Sequence, residues 1–204
     1  MSKQGNSQNT FYSLIPLEDF KALLGVDDRE DKTARFCLVT STLSIEQYCK
    51  RRLLRKTQFE YIDFYGDLIL PLREYPVSKV SAVYALFPIS PSEFIEPDFY
   101  KVIPDCGTDI DLPFSLSLSP ALKRYRGLNA VKAVYLAGYA HNKIPADLSS
   151  ACLELAAWNL NRYRGRHIGF TGNVKGNGRE GQHFEMSMPE NVRVLLEPYR
   201  RKTI

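Results

Sequence analysis

Residues 134–164, VYLAGYAHNKIPADLSSACLELAAWNLNRYR, contain the change of period that decides the fold. Up to Ala137 the apolar residues are dense and β-branched or aromatic, as in a strand. From Pro145 onward the apolar positions follow a helical repeat: Leu148, Ala151, Cys152, Leu155 and Ala156, with Asn159 on the same face. Pro145 suits a first helical turn, where its missing N–H costs nothing. Gly165 ends the segment, so a helix over Ala146–Arg164 is expected. Trp158, the chain's one tryptophan, lies off the stripe, placed to pack on the preceding β segment or on another subunit.

Upstream of this junction the period is 2 rather than 3.6. Residues 58–64 set Phe59, Tyr61 and Asp63 against Glu60, Ile62 and Phe64. Residues 68–70, 78–87, 99–102, 115–118 and 130–135 are further strand candidates. Prolines at 71, 76, 88, 91, 97, 104, 113 and 120 punctuate them. A proline cannot donate within a ladder, so their density implies short antiparallel strands and edges. The expectation is a β-sandwich or small barrel of about five to seven strands.

Further upstream the pattern is helical again. Leu17–Leu24 follows Pro16 and precedes Gly25, a good stop residue. A long helix over residues 28–52 is expected, capped by Asp27 or Asp28. Its apolar set, Phe36, Val39, Leu43, Ile45, Tyr48, Cys49 and Leu53, is wider than one stripe, so more than one face should meet protein. Lys50, Arg51, Arg52 and Arg55 would sit at the negative end of its dipole. Beyond Gly165, residues 165–182 (GRHIGFTGNVKGNGREGQ) hold six glycines and read as a flexible loop. Residues 189–198 form a short amphipathic segment with Val192, Leu195 and Leu196, followed by a basic tail.

The chain is therefore expected to be α+β: a small helical bundle carrying an inserted antiparallel β-sandwich or barrel-like domain. Residues 1–13 read as a disordered lead, 14–56 and 140–204 as the helical domain, and 57–139 as the β insert.

Composition fits a globular chain. Of 204 residues, 44% are hydrophobic and 25% charged, which excludes collagen-like, mucin-like and wholly disordered classes. No apolar run reaches the ~18 residues of a membrane span. The opening MSKQGNSQNT lacks the apolar core of a secretory signal, so an intracellular protein is expected. Cysteines at 37, 49, 106 and 152 form no CxxC pair. Cys37 and Cys49, ~18 Å apart along one helix, exceed the ~7 Å limit for a disulfide, and free thiols are expected. Residues 1–161 carry 18 Lys and Arg against 19 Asp and Glu, whereas 162–204 carry 9 against 4. The basic excess is confined to the last fifth of the chain, which suggests a polyanion or an acidic protein surface as neighbour.

Motifs for chemistry are weak. Residues 176–181 match GxGxxG but lack the strand before and the helix after that dinucleotide binding requires. Asp105, Asp109 and Asp111 fail the calcium-loop pattern, which would put Gly and Glu where Ile110 and Leu116 stand. His141, His167 and His183 are isolated from other ligating residues, and no nucleophile has a base nearby in sequence. No metal, cofactor or catalytic residue is expected. The remaining signal is basic and aromatic: Arg162, Tyr163, Arg164, Arg166, His167, Lys175 and Arg179, then Arg200, Arg201 and Lys202. Three readings are open: a nucleic-acid surface with Tyr163 or Phe170 stacking, a solvated helix end, or a segment that orders on an acidic partner.

The order of elements resembles the head-tail connector (adaptor) proteins of long-tailed bacteriophages, in the subgroup with a β domain between the two main helices. The matching stretches are LEDFKALLG (17–25), IEQY (45–48), LPL (70–72) with PVSKV (76–80), VYLAGY (134–139) with IPADL (144–148), and LLEPYR (195–200). They span most of residues 14–201, and their order and spacing carry the resemblance. It implies a structural virion protein without catalytic residues or cofactors. Such a protein forms a ring, commonly of twelve copies, assembled in the host cytoplasm and bound beneath the portal. The ring extends the channel for double-stranded DNA and receives the next neck or tail protein. By the same resemblance, Arg166, Lys175 and Arg179 in the loop would contact the portal. So would Val192, Leu195, Leu196, Tyr199, Arg200, Arg201 and Lys202. Phe36, Val39, Leu43, Tyr48 and Trp158 would face neighbouring subunits. A nucleic-acid-binding module using the basic C-terminal segment is the alternative.

Overall fold

The computed structural model describes residues 12–86, 92–104, 114–165 and 188–201. The chain divides into two compact units, one made of Met1–Cys49 with Ile144–Ile204 and one of Lys50–Lys143.

The first unit is helical. Helix α1, Leu17–Leu24, ends on Gly25 at φ 61°, whose N–H returns to the Lys21 carbonyl. That left-handed cap costs a residue without Cβ nothing. A 3-10 turn, Asp28–Glu30, follows, and the Asp27 side chain caps it by accepting from the Arg29 N–H. Helix α2, Asp31–Cys49, is shorter than the expected span of 28–52. It stops where Lys50 takes a positive φ of 55°, so the basic cluster lies beyond the helix rather than on its last turn. Helix α3 spans Ala146–Arg164 with Pro145 at its N-cap, and α4 spans Glu190–Leu196, continuing into the 3-10 turn Glu197–Tyr199.

The helical core is made by Phe20, Cys37, Leu38, Ile45, Leu148, Cys152, Leu160, Val192 and Leu196, all at most 1% exposed. Small polar residues let α2 and α3 approach. Ser41 and Thr42 are buried; Ser41 Oγ accepts from Asn159 Nδ2 at 3.0 Å, and Thr42 Oγ1 accepts from the Leu14 N–H at 3.1 Å. Each buried hydroxyl thereby has a partner, as burial requires. Cys37, Cys49 and Cys152 are buried and form no disulfide.

The second unit is β. Its strands are β1 Lys56–Phe64, β2 Ile69–Pro71, β3 Val77–Ala85, β4 Glu93–Ile95, β5 Tyr100–Pro104, β6 Phe114–Leu118 and β7 Gly127–Ala137. They form two antiparallel sheets, one in the order β1-β7-β3-β4 and one in the order β2-β6-β5. One hydrophobic core joins the inner faces: Phe64, Val83, Val131, Ala133 and Tyr135 from the larger sheet, Leu70, Leu116 and Leu118 from the smaller. The fold is thus α+β with an antiparallel two-sheet β unit.

Entry into and exit from the β unit are fastened together. The Tyr139 N–H donates to the Leu53 carbonyl at 2.7 Å, and the Arg55 N–H to the Tyr139 carbonyl at 2.9 Å. Gly138 makes this possible: its φ is +98°, and a Cβ there would lie 2.6 Å from the Leu54 carbonyl oxygen. Arg51 is 4% exposed; it donates to the Tyr75 carbonyl at 3.0 Å and stacks 3.9 Å over the Tyr75 ring. This arginine, expected at the negative end of the α2 dipole, is a buried anchor within the β unit instead.

Candidate interaction surfaces

The C-terminal segment is held onto the ends of α2 and α3. The Tyr199 side chain is 5% exposed, and its hydroxyl donates to Asp147 at 2.6 and 2.7 Å. Tyr48 donates to Glu197 Oε2 at 2.9 Å. Burial, and then the Glu197 carboxylate, raise the Tyr48 hydroxyl above the usual tyrosine range. Arg200 lies 3.6 Å from Glu197 and 5.7 Å from the Tyr48 ring. The Arg201 N–H donates to the Cys49 carbonyl at 2.9 Å, satisfying an orphan carbonyl of the helix end. Arg201, the last described residue, is therefore fixed beside the C-terminus of α2.

Several residues expected on docking surfaces are turned inward. Val192 and Leu196 are fully buried, and Tyr199 nearly so. Their side chains complete the helical core, because a seven-residue helix is stable only when its apolar face is covered. Leu195 is half-buried, whereas Val194, absent from the sequence-based set, is 65% exposed. Arg200 is exposed and Arg201 half-buried. Arg166, Lys175, Arg179 and Lys202 lie outside the described residues, as do the glycine-rich loop beyond Gly165, the GxGxxG match, the Asp105–Asp109–Asp111 cluster, His167, His183 and Cys106.

The residues expected at subunit contacts fall into two groups. Phe36 and Leu43 are exposed and Val39 half-buried, one stripe along the outer side of α2. Phe36 meets the Tyr163 ring edge-on at 5.7 Å, which fixes the stripe at its N-terminal end. Tyr48 and Trp158, in contrast, already have partners within the unit: Glu197 and Arg200 for Tyr48, the Arg162 guanidinium at 4.7 Å for Trp158.

Among the described residues no three His, Cys, Asp or Glu side chains gather where they could hold a metal ion. Nor is any described helix long and apolar enough to cross a membrane. The ionic groups serve structure: Lys21 bridges Asp28 and Asp31, and Arg164 pairs with Glu30.

No family model matches the chain, and no curated protein matches it in sequence. Solved structures do match it in fold. A chain from the neck of an empty gene transfer agent (GTA) particle, computed with C6 symmetry, superposes with a TM-score of 0.60 at 19% identity, covering 94% of this chain and 91% of that one. A chain from the virion of the native GTA particle gives 0.62 at 18% identity with the same coverage. A chain from the neck of the native particle computed with C12 symmetry gives 0.60 at 17% identity, covering 100% of this chain and 97% of that one. At such identity the likeness establishes the fold, which is shared over nearly the whole chain.

Proposed function

We propose that this chain is a structural protein of a phage-like particle's neck, a head-tail adaptor that assembles into a ring beneath the portal. The observation that carries the reading is the fold shared from end to end with chains of GTA necks and virions. The C12 symmetry of one such neck supports twelve copies. The ring extends the channel through which packaged double-stranded DNA passes and presents a platform to the next neck or tail protein.

A ring subunit works through surfaces rather than reacting groups, and closure requires two different patches on each copy. The stripe of Phe36, Val39 and Leu43 supplies one patch on the helical unit. The C-terminal segment supplies the portal contact: exposed Val194 and Arg200 with half-buried Arg201, and Arg166, Lys175, Arg179 and Lys202 carrying further positive charge. Arg200 is already engaged by Glu197 and Tyr48, which favours protein docking over a grip on passing phosphates.

The test is co-sedimentation of the full chain with the portal protein encoded beside it, followed by negative-stain imaging. One added ring of density is expected. Absence of association at both low and physiological salt overturns the reading. The Phe36→Ser/Leu43→Ser variant should keep the fold, since both positions are exposed, and should bind portal without closing the ring.

A further inference from the structure

The outer face of the larger β sheet carries a row of side chains that alternation alone would not place in water. The strand register sets Tyr61 opposite Lys132, Lys132 opposite Tyr84, and Tyr84 opposite Phe94, one line across all four strands. Lys132 Nζ lies 5.7 Å from the Tyr61 ring and 5.9 Å from those of Tyr84 and Phe59, and Tyr84 meets Phe94 edge-on at 5.7 Å. Phe59, Tyr61 and Phe94 are 65, 52 and 46% exposed. At roughly 200 Å² per aromatic side chain they show solvent about 300 Å² of ring surface, comparable to the largest apolar patch of an ordinary monomer, a feature that is often functional.

The opposite side of the same unit has the inverse relief. On the outer face of the smaller sheet, Ser117 stands between Ile69 and Lys101, and Ser115 between Pro71 and Ile103. The central column is two small serines, with exposed Ile69 and Ile103 as flanks. Strands β2 and β5 both pair antiparallel with β6, so they start at the same end of this sheet. Just before those starts lie Asp67, Glu96 and Asp98, all exposed. Ridge and trough are therefore on opposite faces of one unit. The ridge carries Lys132 at its centre; the trough, which has Lys101 on one flank, ends in carboxylates.

The geometry points to a contact between copies of this chain in which the aromatic row of one sits on the serine trough of the next. Rings fill the space that serines leave, the Tyr61 and Tyr84 hydroxyls come within reach of hydroxyl partners, and Lys132 meets the acidic end formed by Asp67, Glu96 and Asp98. Opposite faces make the contact heterologous, so it propagates around a ring instead of stopping at a twofold dimer. About 300 Å² of ring surface is well below the ~800 Å² per partner of a stable complex, so a single such contact is weak and holds through ring closure or on a template. This inference rests on the ring reading above and assigns it a second surface, on the β unit.

Two variants test it. Phe59→Ser/Tyr61→Ser removes the ridge, and Ser117→Trp fills the trough; circular dichroism verifies that both fold. In sedimentation velocity at high protein concentration, each alone should need at least about tenfold more protein than wild type to associate. Mixed at the same high concentration, they should stop at a weak one-to-one pair and form no larger species, since the mixture has one intact ridge and one intact trough. Rings on the portal from both variants at wild-type concentrations would overturn the contact and leave the ring reading intact. A twofold dimer of wild type would overturn it as well. If wild type forms no ring with or without portal, the ring reading falls, and the contact with it.

Discussion

The Tyr199 hydroxyl reaches both carboxylate oxygens of Asp147, at 2.6 and 2.7 Å, and ties the last described turn of the chain to the first turn of α3. Asp147 also accepts from its neighbour's N–H, Leu148 N, at 3.0 Å, so one carboxylate caps a helix start and holds the C-terminal segment. Tyr199→Phe keeps the buried ring and deletes the donor. It should cost about 1–2 kcal/mol, the range of a hydrogen bond to a charged acceptor that is partly open to water. Urea unfolding measures the loss, and amide exchange should show protection falling first at residues 197–201.

Leu196 and Val194 are two residues apart on α4 and face opposite ways. Leu196→Ala opens a cavity in the helical core and should cost about 3 kcal/mol. Val194→Ser, at a position 65% exposed, should change stability by less than about 0.5 kcal/mol while weakening portal association in co-sedimentation. Portal binding by Val194→Ser as tight as wild type would show that the exposed face of α4 has no docking role.

Alignment of sequence with structure is close where a local signal marks the boundary and fails where the signal is tertiary. Leu17–Leu24 was legible because Pro16 and Gly25 bracket it. The end of α2 was not, since nothing in residues 44–52 announces that Lys50 will adopt a positive φ. Strand β4 is three residues long and lies between prolines, too short to show a period. The two faces of β1 were visible as an alternation, but which one turns inward was not. Hydrophobicity does not choose between them, since Phe59 and Tyr61 share a face with Asp63, and Ile62 and Phe64 share the other with Glu60. The strand buries Phe64 together with Glu60, whose carboxylate accepts from the Tyr135 hydroxyl at 2.6 Å and from the Arg73 N–H at 3.0 Å. That choice exposes the aromatic row.

The buried thiols make stability fall in alkali. Burial pushes Cys37 and Cys152 up to about 11 from an ordinary 9.0; at Cys152 bonds from Thr42 and the Leu14 N–H oppose it. The folded chain therefore holds these protons at pH values where the unfolded chain releases them. Their contribution is complete below pH 9, declines as pH rises through 9 to 11, and is gone above that window. The urea midpoint should fall across the window, and the slope should flatten in Cys152→Ala, compared at the same ionic strength. Alkylation of the native protein at pH 8 should be slow at both positions.

Glu60 and Tyr135 give the sharpest test of how the β unit chose its inner face. Tyr135 is fully buried; burial first, and then the Glu60 carboxylate, hold its hydroxyl far above the usual tyrosine range. Glu60→Val removes the acceptor, leaves the buried Tyr135 hydroxyl with only the Glu74 N–H donating to it at 3.2 Å, and leaves the Arg73 N–H without its carboxylate, so a cost of about 2–3 kcal/mol is expected. Tyr135→Phe alone leaves the carboxylate with its Arg73 contacts, at 3.0 Å from the N–H and 3.5 Å from Nε, and should cost about 1–2 kcal/mol. Combining the two removes donor and acceptor together. The double variant should be less destabilised than the sum by about 1 kcal/mol or more, as expected for residues in direct contact. Additive losses would mean that the pair does not act as a unit, and that β1 is oriented by the apolar packing of Ile62 and Phe64 instead.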